Sequence, residues 1–290
     1  MRLTPFELHR PRTIEEATAL LTELGPDALP YCGGTELLLV AKLGFTEFSH
    51  LIDLKGIEEL SGIEANGELR IGAITTHRQL ERSALVRERW PSLAEMERHV
   101  ANIRVRNVGT IGGNLCFADP HSDPATYLIA AGGSVTVRGG GSGARRLPAE
   151  VFTRGPYETA LAPGELLVAV HVPPLATGSV LVHRKMSFHE RPAITVAANV
   201  TVRDGTIAAA RVAVGSIGVA AQRLTAAEEC LRELDASDLR TAQLGPCLEL
   251  AGREAAPVAD ANGSIEYKRQ LVRVMVERCL REALAQASAV

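Results

Sequence analysis

A two-domain α+β fold is predicted by three features of the sequence. Its first part alternates short strand-like segments with helical ones. Its last third runs strands first and helices after, the order of a sheet layered with helices. Between them Pro173-Pro174-Leu175-Ala176-Thr177-Gly178 breaks both periodicities. At 290 residues the chain is long enough for two cores. Domains are expected over 1–175 and 179–288, the second covered on one face of its sheet by helices.

The elements follow in order. Phe6-Glu7-Leu8 suits a short strand. Thr13 to Glu16 has capping-box spacing, and Ala17, Leu20, Leu21 and Leu24 continue a helical stripe that Gly25-Pro26 ends. A loop, Pro30 to Glu36, precedes a short helix from Leu37 to Leu43, and His50 to Leu54 reads as a buried strand. Ile63-Glu64-Ala65 and Leu69-Arg70-Ile71 flank Asn66-Gly67 as a hairpin. Thr76–Arg87 and Ser92–His99 are helical in pattern, divided by Trp90-Pro91. Asn107 to Asn114 reads as a glycine-bearing loop, Pro124–Ala131 as a helix, and Ser134–Arg138 and Glu165–Val172 as strands. Gly139 to Gly143 is a flexible turn. Beyond the break, Val180–Lys185, Ala193–Arg203 and Ile207–Val214 are strands, the last two joined by Asp204-Gly205. Thr225–Leu234, Asp238–Ala251 and Tyr267–Gln286 are helices.

Composition narrows the function. A net charge of −3 gives no basic field for nucleic acid or an anionic membrane. No apolar run reaches the roughly 18 residues of a membrane span, and the first residues lack the apolar core of a signal peptide. A cytoplasmic location is expected. The five cysteines, Cys32, Cys116, Cys230, Cys247 and Cys279, are odd in number and form no Cys-x-x-Cys pair. Neither a disulfide framework nor a zinc ribbon is indicated, and reduced thiols are expected.

Two segments carry chemistry: Tyr31-Cys32-Gly33-Gly34-Thr35-Glu36 and Thr110-Ile111-Gly112-Gly113-Asn114. Paired glycines let backbone N–H groups approach a phosphate without a Cβ in the way. Thr35 and Thr110 add hydroxyl donors, and the first loop opens a helix whose N-terminus favours an anion. Two such loops fit a diphosphate, although Gly-Gly pairs before helices also serve as plain tight turns. Neither is G-x-G-x-x-G or a Walker loop, so neither a Rossmann nor a P-loop site is supported.

The runs Pro30 to Leu39 and Arg106 to Leu115 resemble the two FAD loops of the flavin subunits of xanthine dehydrogenase and carbon monoxide dehydrogenase. Ile71 to Thr76, Ala118 to Pro124, Gly164 to Leu167 and Tyr267-Lys268-Arg269 also resemble that family, whose likeness runs from about Phe6 to about Ala285. The resemblance implies a two-subdomain, vanillyl-alcohol-oxidase-type (PCMH-type) FAD-binding domain followed by a smaller α+β domain. FAD is the implied cofactor. The implied role is electron transfer as the medium subunit of a molybdenum hydroxylase. Its implied partners are a molybdopterin-binding large subunit and a [2Fe–2S] small subunit, in a dimer of heterotrimers.

Carried onto this chain, the first FAD loop falls on Tyr31, Cys32, Gly33, Gly34, Thr35, Glu36 and Leu37. The second falls on Thr110, Ile111, Gly112, Gly113 and Asn114. Further cofactor contacts map to Val100, Asp123, Leu167 and Lys185. Cys32 stands where the family commonly has alanine, and a thiol there is a candidate for oxidation. Met186 to Thr195 lacks the acidic residue that many members carry after the arginine. No cysteine lies between Cys116 and Cys230, so no iron–sulfur cluster is expected on this chain. A stand-alone FAD-dependent oxidoreductase is the alternative reading.

Other residues are weighed against plainer roles. His77, His99, His121, His183 and His189 form no helical metal-ligand pair, and no metal site is expected. His121 beside Asp119 and Asp123 reads as a polar loop shaped around the cofactor. Arg104 and Arg106 are candidates for stabilising flavin or phosphate charge, or are solvated. Cys230, Cys247 and Cys279 are expected as buried, small apolar side chains.

Overall fold

The structure is a computed structural model describing residues 3–140, 143–188, 191–236 and 241–287, with the side chains of residues 241 and 242 outside the description. Parts of the expected turn at 139–143, His189 and the expected helix start at Asp238 lie outside the described residues. The chain forms two compact units. One comprises 1–118 and 134–172, the other 119–133 and 173–290. This division departs from a linear one at residue 175, because the second unit takes in the segment from Asp119 to Gly133.

In the first unit, strands Glu7–His9, His50–Asp53 and Ala28–Tyr31 make a parallel three-stranded sheet with His50–Asp53 in the middle. Pro30 and Tyr31, expected at the start of the loop that runs to Glu36, instead close the edge strand Ala28–Tyr31, where a proline is tolerated. Thr13 caps helix Ile14–Leu24, accepting from the Glu16 amide, and Gly25 at φ 66° ends it. The helix buries Ile14, Ala17 and Leu21 with Ile52, Leu54, Leu166 and Val168, tying this sheet to a larger one. Each of the leucine, isoleucine and valine side chains stabilises the fold by about 1.5–3 kcal/mol when fully buried.

The larger sheet has five antiparallel strands in the order Ile63–Asn66, Glu68–Gly72, Glu165–Val172, Ser134–Gly139, Arg145–Pro148. Glu165–Val172 is central and almost wholly buried, as the apolar run Leu166–Val170 within it requires. Within that strand His171 lies between Thr136, 2.8 Å from its Nε2, and Glu68, 3.1 Å from its Nδ1. Burial, aided by Arg146, holds its pKa below the usual imidazole value. The folded state therefore takes up that proton less readily than the unfolded chain. Its contribution to stability is present above pH ~6.5 and is lost as the pH falls through the lowered folded value. The melting temperature is expected to fall between pH 7 and pH 5, and less steeply in His171→Gln. Identical slopes in the two proteins would refute this.

The second unit centres on an antiparallel sheet, Ser179–Ser187, Pro192–Arg203, Thr206–Gly215 and Gln222–Arg223. Side chains alternate between its faces. Val196, Ala198, Val200, Val212 and Val214 pack with helices Thr225–Leu231, Thr241–Glu254 and Ile265–Ala287 in one large core. Ala197 and Ala213 point the other way and pack with Ile129 and Ala130 of helix Asp123–Ala131. The sheet is thus covered on both faces, not on one as expected. The second cover was hidden because that face is paved with alanine and its helix lies early in the chain.

Cys230 and Cys247 are joined by a disulfide, with Cα atoms 5.3 Å apart, which corrects the expectation of reduced thiols at these positions. Helices Thr225–Leu231 and Thr241–Glu254 bring the two together, and sequence spacing alone does not reveal such a pairing. Cys32, Cys116 and Cys279 are free.

Candidate cofactor site

The two glycine segments, some 75 residues apart in sequence, meet in the first unit. A Cβ on Gly33 would lie 2.1 Å from the Val108 carbonyl oxygen and 2.9 Å from the Gly109 Cα, so the backbones are in direct contact. Together they wall a cavity of about 290 Å³, at the lower edge of the ~300–1,000 Å³ range of small-molecule sites.

Of the expected cofactor residues, Tyr31, Cys32, Gly33, Gly34, Thr35, Glu36, Leu37, Val100, Thr110, Gly112, Gly113, Asn114 and Leu167 line this cavity. Ile111 does not. It is fully buried, and its N–H donates to the Thr75 carbonyl. Asp123 and Lys185 belong to the second unit, where Lys185 Nζ donates to Asp123 Oδ2 at 2.7 Å and His183 Nε2 lies 3.7 Å from Asp123 Oδ1. Asp123 opens helix Asp123–Ala131, capped by Ser122, and an acid suits that first turn.

The loops contribute differently. Asn107–Asn114 is not a loop but two short helices, Ile103–Val108 and Ile111–Phe117, hinged at Gly109 and Thr110. Thr110 caps the second of these by accepting from the Gly113 amide at 3.0 Å. The amides of Gly112 and Asn114 are also engaged, with the Ala73 and Thr110 carbonyls. In the first loop, among the described residues, the amides of Gly33, Gly34 and Thr35 donate to no acceptor in the chain. Half-buried donors of this kind must be satisfied by water or a ligand. The first loop therefore offers the donors and the second is a packed wall. This explains Gly112, whose Cβ would meet the Ala73 carbonyl oxygen at 2.6 Å.

The two free thiols at the site are chemically quiet. Burial pushes the Cys32 thiol up to about 12, and its side chain is hydrogen-bonded to Thr110, so it links the two loops. Burial likewise pushes Cys116 up to about 12. Protonated thiols are poor nucleophiles and slow to oxidise, so burial works against oxidation at Cys32.

Neighbouring charges are spent on structure. Arg106 pairs with Glu81 at 3.1 Å and donates to the Val100 and Ala101 carbonyls, which positions Val100 on the cavity wall. Arg104 is exposed. In the second unit His121 is held by Asp119 at 2.8 Å, burial favours its neutral form, and Arg191 pairs with the same carboxylate. The side chain of Lys268, fully buried, binds the Val258 carbonyl and Asp260, both at 2.7 Å, and so ties a loop to the C-terminal helix.

Less legible beforehand is His77, which lines the cavity and is 2% exposed, its Nδ1 2.7 Å from the fully buried Glu97. Helix His77–Arg82 starts with the Thr76–Gln79 capping box and helix Pro91–Arg98 supplies Glu97, so two elements hold the pair. The only local signal was a histidine directly after a capping threonine.

An apolar cavity beside one donor-rich glycine bend can take an anionic group together with an apolar one. Residues 4–175 match the family described as the FAD binding domain in molybdopterin dehydrogenase. Residues 186–283 match the CO dehydrogenase flavoprotein C-terminal domain. The carbon monoxide dehydrogenase medium chain of Afipia carboxidovorans is 34% identical over 97% of this chain and 98% of its own length. The xanthine dehydrogenase FAD-binding subunit of Escherichia coli is 28% identical over 96% of each. Among solved structures, a carbon monoxide dehydrogenase chain from Hydrogenophaga pseudoflava superposes with a TM-score of 0.93 at 33% identity, covering 98% of this chain and 99% of that one. The chain belongs to the FAD-binding medium subunits of the molybdenum hydroxylase family, a class of FAD-dependent oxidoreductase subunits. No helix among the described residues is long and apolar enough to cross a membrane.

Proposed function

We propose that this chain is the electron-transfer subunit of a molybdenum hydroxylase. It would be held by a molybdopterin-binding large subunit and a [2Fe–2S] small subunit in a dimer of heterotrimers. The observation that carries the reading is the set of unclaimed amides on Gly33, Gly34 and Thr35 at a cavity walled by the second loop. When bound, FAD supplies redox chemistry that exchanges electrons between iron–sulfur clusters and an external acceptor. The chain itself binds, orients and shields. The three amides would hold the diphosphate as an anion cradle, with Thr35 and Glu36 beside them. Leu37, Val100, Thr110, Gly112, Gly113, Asn114 and Leu167 shape the walls that exclude water. Ile111 supports that wall from behind. For Asp123 and Lys185 the family likeness supports a flavin contact in addition to their mutual ion pair.

We place the complex in the cytoplasm. The free thiols at Cys32, Cys116 and Cys279 suit a reducing compartment, whereas the Cys230–Cys247 bond does not.

Purified protein is expected to be yellow, with about one FAD per chain. Gly113 sits at the third position of its helix, and an added Cβ meets the capping Thr110 Oγ1 at 2.8 Å. Gly113→Val should weaken flavin retention by roughly tenfold or more, the equivalent of about 1.4 kcal/mol, measured by flavin fluorescence on titration. Unchanged affinity would overturn the loop assignment. Turnover of an organic substrate by the lone chain would replace the relay with a stand-alone flavoenzyme.

A further inference from the structure

We propose that Glu7, His9 and His50 form a binding site for a divalent transition metal of the zinc class, outside the cofactor cavity. The juxtaposition follows from strand pairing. Glu7–His9 lies parallel to His50–Asp53 with Glu7 opposite His50. His9 is two residues beyond Glu7 and so on the same face of its strand. Three ligating side chains thus share one patch of sheet, although 41 residues of chain separate His9 from His50.

The geometry is that of a coordination triangle. His9 Nε2 lies 3.1 Å from His50 Nδ1, Glu7 Oε2 lies 3.9 Å from the same His9 nitrogen, and 3.6 Å separates it from the same His50 nitrogen. The circle through these three atoms has a radius of about 2.1 Å, which matches Zn–N bonds of about 2.0–2.1 Å and Zn–O bonds of about 2.0–2.2 Å. A cation therefore fits at or just above the plane of the three atoms without any of them moving far. Two imidazoles and one carboxylate are donors suited to zinc, nickel or copper rather than magnesium or calcium.

Burial is graded in the way an open site requires. The side chains of His9 and His50 are 17% and 25% exposed, whereas that of Glu7 is 67% exposed. The histidines are held by the sheet, and the carboxylate closes over them from solvent, leaving a fourth position for water. Without a metal the two ring nitrogens lie within hydrogen-bond distance of each other. On binding, both rings ligate through these nitrogens as neutral imidazole, the ring that donated carrying its proton on its other nitrogen instead.

None of the three residues lines the cofactor cavity. Metal binding and flavin binding can therefore be read independently on the same flavin-loaded full-length protein. The test is titration with Co²⁺, followed by visible absorption, and with Zn²⁺ in competition. One equivalent of Co²⁺ is expected to give the intense bands of a four-coordinate ion and to be displaced by Zn²⁺. His50→Ala should weaken binding by roughly 100-fold or more, since losing a direct ligand exceeds the ~10- to 100-fold cost of losing an outer-shell partner. Glu7→Gln, at an exposed position that tolerates change, should weaken it at least tenfold with flavin content unaltered. Absence of a stoichiometric site, or a site equally tight in His50→Ala and Glu7→Gln, overturns the proposal. A failure of the flavin reading would show instead as colourless protein that still binds the metal.

Discussion

Gly33→Ala is expected to give the largest loss of flavin binding of any single methyl added to this protein. The added Cβ would stand 2.1 Å from the Val108 carbonyl oxygen, 2.8 Å from the Val108 carbonyl carbon and 2.9 Å from the Gly109 Cα. All three are backbone atoms, so no rotamer change relieves the clash and the two segments must part. Overpacking of this kind costs about 1–3 kcal/mol. The same separation would carry the amides of Gly33, Gly34 and Thr35 away from the wall that they face. FAD affinity should drop by roughly 100-fold, the equivalent of about 2.8 kcal/mol, together with a lower melting temperature. Gly143→Ala, with nothing within 4 Å of its Cβ, is the matched control and should leave both unchanged. A Gly33→Ala protein that binds FAD like the parent would show that the loop contact is incidental.

Lys185→Met is expected to destabilise the second unit strongly. Asp123 is 4% exposed, and Lys185 Nζ lies 2.7 Å from its Oδ2. Removing the cation leaves a buried carboxylate without its main counter-charge, which typically costs about 3–5 kcal/mol. The nearby His183 and the helix N-terminus soften the loss, so about 3 kcal/mol is expected, a melting shift of roughly 6–12 °C for a protein of this size. Asp123→Asn in the same chain should recover part of it, because the orphaned charge is then gone. A structural pair would lower stability equally with and without FAD. A flavin contact would add a loss of affinity in the Lys185→Met/Asp123→Asn double variant. A single variant as stable as the parent would contradict the burial argument.

How much of this was legible depends on where the information lay. Glu165–Val172 reads to the residue, because a strand buried on both faces shows as a nearly continuous apolar run, here Leu166–Val170. The C-terminal helix, expected over Tyr267–Gln286 and found over Ile265–Ala287, shows through its stripe of Leu271, Val272, Met275, Cys279 and Leu280. Strands such as Thr153–Gly155 and Gln222–Arg223 are too short and polar to show any period. The second glycine segment was misread as a loop. Glycines depress helix propensity, yet Thr110 three residues before Gly113 was the cap that starts a helix. At the site, both loops were visible as motifs. His77, Ala73 and Leu54 were not, because what brings them to the cavity is the pairing of distant strands and helices. Glu7, His9 and His50 failed for the same reason, since ligands gathered across strands leave no spacing to recognise.

The assignment of helix Asp123–Ala131 to the second unit has a topological consequence. The polypeptide passes from the first unit to the second after Ala118, returns at Ser134, and departs again after Val172. The units are interleaved along the chain, not strung end to end. All nine residues of the loaned helix are buried, and Ala197 and Ala213 are part of what buries it. A fragment ending near residue 175 would carry a greasy segment stripped of its sheet. The complementary fragment would bare an alanine-paved surface, so neither half is a natural stopping point for a ribosome, a protease or an engineer.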